Sequence, residues 1–219
     1  MFIEYNNFLP KSYEDHLEEY FTKNAKWSYV TKSSGDWNGK DAWINSADSP
    51  MMCLVSFFKS EAPGGKHIHD EDSLIELRPL LWFLEKEAGL EVSDIDRIKS
   101  NLYIKNENWK DKHHPPHTDS GKPENLTLLY YVNDSDGPTY FYDTMIWNDN
   151  PENGNVIAKI EPKKGTAVLF ESTRYHSGTL PTESDSRIVV NLVFSTNNFN
   201  FHEEAQREHN LESPNTMSK

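Results

Sequence analysis

The sequence predicts a mainly β protein with flanking helices, because helical patterns come early in the chain and several short strands come late. Hydrophobic residues make up only 36% of the chain, but Phe, Trp and Tyr together reach 12%. Large aromatics compensate for a low apolar share, since each one buried removes roughly 150–250 Å² from water. At 219 residues we expect one domain, 1–219.

The N-terminal segment predicts a strand followed by a helix. Residues 2–5 are β-prone, and Ser12 with Asp15 has the spacing of a capping box at a helix start. Apolar residues at helical spacing would give this helix one buried face, and they are Tyr13, Leu17, Tyr20 and Phe21. The polar stretch 31–50 is typical of a loop or an irregular strand pair.

A buried strand and a second helix follow. The run 51–58 is almost entirely apolar, and Ser73 with Glu76 forms a second capping box. The buried face of this helix would consist of Leu74, Leu77, Leu81 and Leu84. Pro79 predicts a kink or a restart, and Gly89 predicts the C-terminal end.

Short strand-like segments, separated by Pro, Gly, Asn and Asp, fill the second half of the chain. They are 98–105, 126–132, 138–142, 156–160, 165–170 and 187–195. Helices followed by strands favour helices packed on a closed or sandwiched β unit. We expect the β core to span about 98–196, and the polar residues 201–219 to form a short helix or a disordered tail.

Charge and cysteine content exclude several classes of function. The net charge of −13 repels phosphate backbones, so nucleic-acid binding is not expected. Cys53 is the single cysteine, which excludes a disulfide framework and a thiolate metal cluster. No apolar run approaches the roughly 20 residues of a membrane span, and the N-terminus lacks a signal-peptide pattern. We therefore expect a cytoplasmic protein without a membrane partner, of open oligomeric state.

A histidine and a carboxylate two residues apart suggest a metal site. His117 and Asp119 would project to the same side of an extended chain, and His176 comes directly after the strand 166–170. Two histidines and one carboxylate on one face of a metal leave three positions open, as in non-heme Fe(II) oxygenases. By itself a His-x-Asp pair is also typical of an exposed turn, and the distal His176 is what favours the metal site.

Arg187 begins a strand that is apolar at almost every position, so we expect its side chain to be buried. A buried arginine needs an anionic partner, and its planar fork suits a carboxylate. From the residues alone, two partners stay open. One is the carboxylate of a bound ligand, and the other is an acid of the same chain, such as Asp185 or Glu183.

Several motifs occur together in a fixed order. They are His117-x-Asp119, residues 131–133 (YVN) followed by 137–141 (GPTYF), the strand 165–170 (GTAVLF), His176 and Arg187, after an N-terminal IEYNNFLP. This ordered set resembles the 2-oxoglutarate- and Fe(II)-dependent oxygenase superfamily, in its prolyl 4-hydroxylase-like branch. The resemblance is firm over 98–195 and looser over 1–90.

The resemblance implies a double-stranded β-helix, or jelly roll, with N-terminal helices packed on the major sheet. It implies that His117, Asp119 and His176 ligate Fe(II), and that Arg187 binds the distal carboxylate of 2-oxoglutarate. The activity implied is that of a dioxygenase, which uses O2 to hydroxylate a C–H bond of a prolyl-type peptide or protein, or of an amino acid, with release of succinate and CO2. Asp119 favours hydroxylation over halogenation, because halogenating relatives lack that ligand.

Other residues are candidates to line the same pocket. Asn101 and Tyr103 share one face of their strand, which faces either the cosubstrate or solvent. Tyr131 is a second tyrosine candidate, and Asn191 lies on the same strand face as Arg187. The tryptophans of polar segments, Trp37, Trp43, Trp109 and Trp147, are candidates to frame the mouth, and the loop 143–155 is long enough for a lid.

Competing interpretations stay open. His67 and His69 resemble the ligand pair of cupins, but a helix follows them where a cupin continues as a strand. His113 and His114 lack an acid two positions further on, so we expect them at the mouth or in contact with substrate. The alternative functions are a non-catalytic jelly-roll or cupin-like binding module and a nucleic-acid demethylase.

Overall fold

The structure is a computed structural model that describes residues 2–33, 47–59, 65–146 and 154–198. Within these ranges the chain forms two α-helices and eleven strands. In chain order they are β1 (Phe2–Tyr5), α1 (Lys11–Glu19), β2 (Ser28–Val30), β3 (Met51–Lys59), β4 (Lys66–Ile68), α2 (Glu71–Ala88), β5 (Val92–Ile104), β6 (Asn125–Tyr131), β7 (Thr139–Met145), β8 (Val156–Ile160), β9 (Ala167–Glu171), β10 (Arg174–Gly178) and β11 (Ser186–Thr196).

Two antiparallel sheets form the body of the protein. The larger has the order β1-β9-β6-β11-β5-β3-β2, with β4 added to β3, and the smaller has the order β10-β7-β8. Side chains of both sheets meet in one apolar cluster, to which β6 contributes Leu129 and Tyr131, and β7 contributes Phe141. The predicted mainly β fold, a jelly roll with flanking helices, is confirmed.

Alternate residues of the large sheet serve two different layers. On β11, Ile188, Val190, Leu192 and Phe194 pack beneath the helices with the buried leucines of α2. The residues between them face the small sheet, where Val189 joins the inner apolar cluster and Arg187 and Asn191 reach the cavity. Each fully buried large apolar side chain stabilises the fold by roughly 1.5–3 kcal/mol. The apolar layer beneath the helices can therefore stabilise the sheet while the inner face carries polar groups.

The first helix starts two residues earlier than the predicted capping box requires. α1 follows Pro10 without a side-chain cap, and Ser12 lies inside the helix. The capping-box prediction is wrong because the Asp15 carboxylate is paired with Lys11 and Lys164 instead. The predicted apolar stripe is present, with Leu17 and Phe21 fully buried.

The second helix also starts earlier than predicted. Asp70 is its N-cap and accepts a hydrogen bond from the Ser73 N–H at 2.7 Å, so Ser73 lies in the first turn and does not cap the helix. α2 runs through Pro79 without a restart, and Ile75, whose carbonyl loses its donor there, lies on the exposed side. Gly89 ends the helix at a φ of +63°, as predicted.

All six predicted strand segments overlap a strand of the structure, and β2, β4 and β10 are additional. β10 was missed because Arg-Tyr-His-Ser-Gly has no apolar alternation. The tail 201–219, Trp37, Trp43, Trp147 and the middle of the loop 143–155 lie outside the described residues. Across the described ranges, no helix combines the length and apolar character that crossing a membrane requires.

Candidate functional site

The three predicted metal ligands lie together in the cavity between the two sheets. One ligand atom each from His117, Asp119 and His176 all fall within 4.8 Å of one another. His117 and His176 form an isolated antiparallel bridge, in which each backbone N–H donates to the other carbonyl, at 2.9 and 3.0 Å. This bridge sets the two imidazole centroids 4.5 Å apart and joins the His-x-Asp segment to β10.

Asp119 has one occupied and one free carboxylate oxygen. Oδ1 accepts a hydrogen bond from the Arg97 guanidinium at 2.5 Å and lies 3.5 Å from the Asn191 side-chain amide. Oδ2 is buried, has no hydrogen-bond partner among the described residues, and lies 3.5 Å from Nε2 of His176. A buried carboxylate oxygen without a donor is costly unless a ligand satisfies it, so Oδ2 is the oxygen available to a metal.

Both histidines present the same nitrogen to the cavity. Nδ1 of His117 lies 3.3 Å from the Pro115 carbonyl, and Nδ1 of His176 lies 3.2 Å from the Arg174 carbonyl. A carbonyl oxygen only accepts hydrogen bonds, so each Nδ1 carries the proton and each Nε2 keeps a lone pair. Such backbone contacts commonly fix the tautomer and orientation of metal-binding histidines.

The charge states of the ligands also suit a cation. Burial opposes ionisation of Asp119, but His176 and Arg97 outweigh it and lower its pKa to about 2. Loss of hydration in the cavity, together with His176, lowers the pKa of His117 to about 4. At neutral pH the carboxylate is therefore charged and the His117 ring neutral, which are the forms that bind metals. Two imidazoles and one carboxylate fit Fe(II).

Arg187 is the buried cation of the site, with only 3% of its surface exposed. Its Nη2 donates to Oγ1 of Thr139 at 2.8 Å, and the guanidinium lies 5.4 and 5.8 Å from the ring centroids of Tyr103 and Tyr131. In the described part of the chain no carboxylate pairs with it, and Nε has no partner. The alternative in which Asp185 or Glu183 neutralises Arg187 is therefore wrong for the described residues.

Two glycines leave room for the Arg187 side chain. A Cβ on Gly178 would lie 3.2 Å from Nη1 and 3.3 Å from Nη2, and a Cβ on Gly137 would lie 3.0 Å from Cδ. A side chain at either position would crowd the arginine. The cavity beside the guanidinium, its unpaired Nε and its positive charge fit one carboxylate of 2-oxoglutarate.

The supporting residues predicted from the sequence also face this cavity. β5 and β11 pair so that Tyr103 lies opposite Arg187 and Lys99 opposite Asn191, with Asn101 between them. The cavity is lined by Asn101, Tyr103 and Asn191. The side chains of Asn101 and Tyr103 therefore face the cavity and not the solvent. Tyr131 donates its hydroxyl to Oγ1 of Thr139 at 2.7 Å, beside Arg187. Burial raises the pKa of both tyrosines, which stay neutral hydrogen-bonding groups.

Three residues of the site were missed from the sequence, Arg97, Lys99 and Thr139, whereas His114, expected at the mouth or in contact with substrate, does line the cavity. The first two share the face of β5 that carries Asn101 and Tyr103, so the alternation of the strand was a usable signal. His114 is buried between the rings of Tyr103 and Trp109, at 5.1 and 5.4 Å. No local signal marks Thr139 as the acceptor for Arg187.

The competing histidine pair forms no second metal site among the described residues. His67 belongs to the exposed edge strand β4, and its ring centroid lies 6.1 Å from that of His69, without a carboxylate in a ligand cluster. Trp109, a candidate to frame the mouth, is instead buried in the inner apolar cluster.

The ligands open onto a cavity of about 320 Å³. It is lined by Ser33, Met51, Arg97, Lys99, Asn101, Tyr103, His114, Pro115, Pro116, His117, Thr118, Asp119, Gly178 and Asn191. A narrower cavity, which shares Asn101, Tyr103, His117, Gly178 and Asn191 with the first, continues to Arg187. The cavity therefore has an arginine at its inner end, the ligand triad midway and open space beyond.

Comparison with known proteins is consistent with this geometry. Residues 100–195 match the model of the 2OG-Fe(II) oxygenase superfamily. No curated protein matches the chain. Among solved structures, an oxidoreductase of the 2OG-Fe(II) oxygenase family from Burkholderia pseudomallei aligns with a TM-score of 0.58 at 13% identity, covering 89% of this chain and 84% of that chain.

Two enzymes of nogalamycin biosynthesis are similar to the same extent. The non-heme alpha ketoglutarate dependent epimerase SnoN aligns with a TM-score of 0.56 at 12% identity, covering 89% of this chain and 78% of its own. The carbocyclase SnoK aligns with a TM-score of 0.55 at 12% identity, covering 89% and 79%. At such low identities the likeness shows a shared fold and does not identify a substrate.

Proposed function

We propose that the chain, whose residues 100–195 match the model of the 2OG-Fe(II) oxygenase superfamily, acts as such an oxygenase and hydroxylates a C–H bond of an amino-acid or prolyl-type peptide or protein substrate, with release of succinate and CO2. The observation that supports this most is the position of His117, Asp119 and His176 in one cavity with Arg187. Two imidazoles and a carboxylate leave metal positions open for the cosubstrate and oxygen.

We propose that Nε2 of His117, Nε2 of His176 and Oδ2 of Asp119 hold the iron. When bound, Fe(II) with 2-oxoglutarate and O2 supplies the oxidising chemistry that inserts oxygen into a C–H bond. The protein's part is to bind and orient. Carbonyl contacts at both Nδ1 atoms keep the rings in place, and Arg97 holds Oδ1 so that Oδ2 stays turned to the metal.

Arg187 would bind the distal carboxylate of 2-oxoglutarate through its guanidinium. Thr139 and the faces of Tyr103 and Tyr131 hold that guanidinium in one orientation, so little side-chain freedom is lost on binding. Leu129 and Val189 line this end of the cavity beside its polar groups, and only 3% of the Arg187 surface is exposed. Exclusion of water strengthens the attraction between the guanidinium and a carboxylate.

Asp119 supports hydroxylation as the outcome, since it supplies a carboxylate ligand to the metal. A position left vacant for halide is what a halogenating enzyme needs, and this chain fills that position with an aspartate. The choice between a peptidyl and a free amino-acid substrate depends on the open part of the cavity.

The test is spectroscopic and is done without oxygen. We expect a visible charge-transfer band when Fe(II) and 2-oxoglutarate are added together, and its loss in His176→Ala. His67→Ala, which changes an exposed histidine of β4, is the matched control and should keep the band. With oxygen admitted, mass spectrometry of candidate amino acids and peptides should find a product heavier by one oxygen atom. A protein that shows no band and makes no succinate from 2-oxoglutarate would instead be a non-catalytic binding module.

A further inference from the structure

Lys99 is an unpaired cation inside the cavity. It lies on the inner face of β5 between Arg97 and Asn101, is only partly exposed, and lines the 320 Å³ space. Its Nζ has no hydrogen-bond or ion-pair partner among the described residues. Apart from Arg187, at the other end of the cavity, the neighbouring cations are paired: Arg97 with Asp119, Lys122 with Asp96, and both Lys59 and Lys66 with Asp94.

Leaving Lys99 unpaired is unfavourable, because burial and the neighbouring Arg97 both oppose its charged form and lower its pKa. An anion placed beside its Nζ would relieve both effects. Since the Arg97 charge is already matched by Asp119, one positive charge remains. A single positive charge suits a carboxylate, which carries one negative charge, better than a phosphate, which carries close to two.

The Lys99 position differs from the carboxylate position at Arg187. Lys99 lies opposite Asn191 in the strand register, four residues along β11 from Arg187. At about 3.3 Å per residue this separates the two backbone positions by about 13 Å. The Asp119 carboxylate, which Asn191 contacts, lies near Lys99 and away from Arg187. Lys99 therefore faces the open part of the cavity.

Besides Oδ2 of Asp119 and Oδ1 of Asn191, the same space contains two further buried acceptors that have no donor among the described residues. The Ser33 hydroxyl donates to Asp48 at 2.7 Å, so its oxygen, 2.8 Å from Nδ1 of His114, accepts a hydrogen bond from that ring N–H. Nε2 of His114 is then a bare acceptor, and it has no partner in the described chain. Oδ1 of Asn101 is likewise buried without a donor. Buried acceptors left unsatisfied cost about 1–3 kcal/mol each, which a donor on the ligand would recover.

Among the described residues, an unpaired ammonium and nearby acceptors without donors in a small cavity are complementary to an ammonium carboxylate. We propose that the open part of the cavity is a subsite for a free α-amino acid, with Lys99 binding its carboxylate and His114 with Asn101 accepting from its ammonium group. The volume of about 320 Å³ lies within the range of small-molecule sites. This inference rests on the proposed function, and it selects a free amino acid over a residue within a peptide.

The test measures saturation transfer by NMR from the protein to glycine, the part that all α-amino acids share, in the presence of Zn(II) and 2-oxoglutarate. We expect transfer to glycine in the wild type and at least five-fold less to glycinamide, which has no carboxylate. Lys99→Met should reduce transfer to glycine at least five-fold and keep transfer to 2-oxoglutarate within two-fold. Lys110→Met, with the same charge change at an exposed position outside the cavity, is the control and should alter neither signal.

The reciprocal variant separates the two proposals. Arg187→Met should lose the 2-oxoglutarate signal and keep the glycine signal. Three results would overturn the amino-acid subsite. They are no transfer to glycine in the wild type, equal transfer to glycine and glycinamide, and undiminished transfer to glycine in Lys99→Met. Loss of both signals in Lys99→Met also overturns it, since Lys99 would then serve the cosubstrate. Absence of the 2-oxoglutarate signal from the wild type contradicts the proposed function, while the glycine signal in the same sample still tests the subsite.

Discussion

Arg97 and Asp119 form an ion pair in which Nη2 of the arginine lies 2.5 Å from Oδ1 of the carboxylate. Only 2% of the Asp119 side chain is exposed, so the pair is held where water competes little. Because the arginine occupies Oδ1, the carboxylate can offer Oδ2 to a metal from one fixed direction. Partners of this kind, outside the ligand set, orient the ligands of metal sites in general.

Replacement of Arg97 by methionine should therefore weaken metal binding about 10- to 100-fold, the usual effect of losing such a partner. Titration of the metal-free protein with Fe(II) in the absence of oxygen measures the affinity directly. Arg97→Lys should restore part of it, since the charge returns without the planar fork. Arg78→Met, on the exposed side of α2, is the control for the loss of one positive charge. An affinity within two-fold of wild type in Arg97→Met would contradict the positioning role.

Replacement of Arg187 by methionine should raise the KM for 2-oxoglutarate about 10- to 100-fold, since charge-assisted hydrogen bonds contribute about 1.5–3 kcal/mol. Metal affinity should stay within a few-fold of wild type, because Arg187 contacts Thr139 and the tyrosine rings but none of the three ligands. Succinate formation at varied 2-oxoglutarate measures the first quantity and metal titration the second. If the affinities for 2-oxoglutarate and for the metal are lost together, the variant has lost its fold, and its circular dichroism spectrum will show it.

A smaller perturbation of the same arginine is available at Gly178. In Gly178→Ala the new methyl group would lie 3.2 Å from Nη1 of Arg187, so the guanidinium must move by a few tenths of an ångström. We expect a rise in the KM for 2-oxoglutarate of up to about 10-fold, because misplacement by 1 Å can cost 100-fold. The matched control is Gly121→Ala, whose methyl group would meet only Cδ1 of Ile146, at 3.7 Å. Equal KM values in the two variants would show that the close approach has no role in binding.

The clustering of the candidate ligands was predictable because its signals are local or repeat along a strand. His117 and Asp119 are two residues apart, His176 and Arg187 follow in order, and alternation brought Asn101 and Tyr103 to one face. The fold class was predictable because helical patterns come early in the chain and short strands separated by turn residues come late.

Contacts between distant residues gave no such signal. Arg97 reaches Asp119 across 22 positions, and Ser33 reaches His114 across 81, so each depends on the packed sheets. β10 forms because its backbone pairs with β7, although its own residues show no strand pattern. The predicted start of the second helix was wrong because another residue caps it. Asp70 accepts the hydrogen bond from the Ser73 N–H, which the side chain of Glu76 would accept in the predicted capping box.

Asp136 stabilises the turn that precedes β11, the strand that carries Arg187. Its carboxylate accepts four hydrogen bonds, from the N–H and hydroxyl of Thr182 and from the N–H groups of Glu183 and Ser184, in the turn that leads into β11. Partial burial opposes ionisation of Asp136, but these donors outweigh it and hold its pKa well below the usual range. We expect Asp136→Asn to lower the free energy of unfolding by about 1–3 kcal/mol at pH 7, since hydrogen bonds to a charged group are replaced by weaker ones.

The pH dependence of this loss has a definite sign. A carboxyl whose pKa is lower in the folded than in the unfolded state stabilises the fold fully above the unfolded value, and the stabilisation disappears as the pH falls toward the folded value. The difference between wild type and Asp136→Asn should thus be constant from pH 7 to about pH 5 and shrink below about pH 4. Urea denaturation at each pH measures it, with Asp134→Asn as the control at an exposed neighbour. A difference that stays unchanged down to pH 3 would mean that the charge of Asp136 does not stabilise the turn.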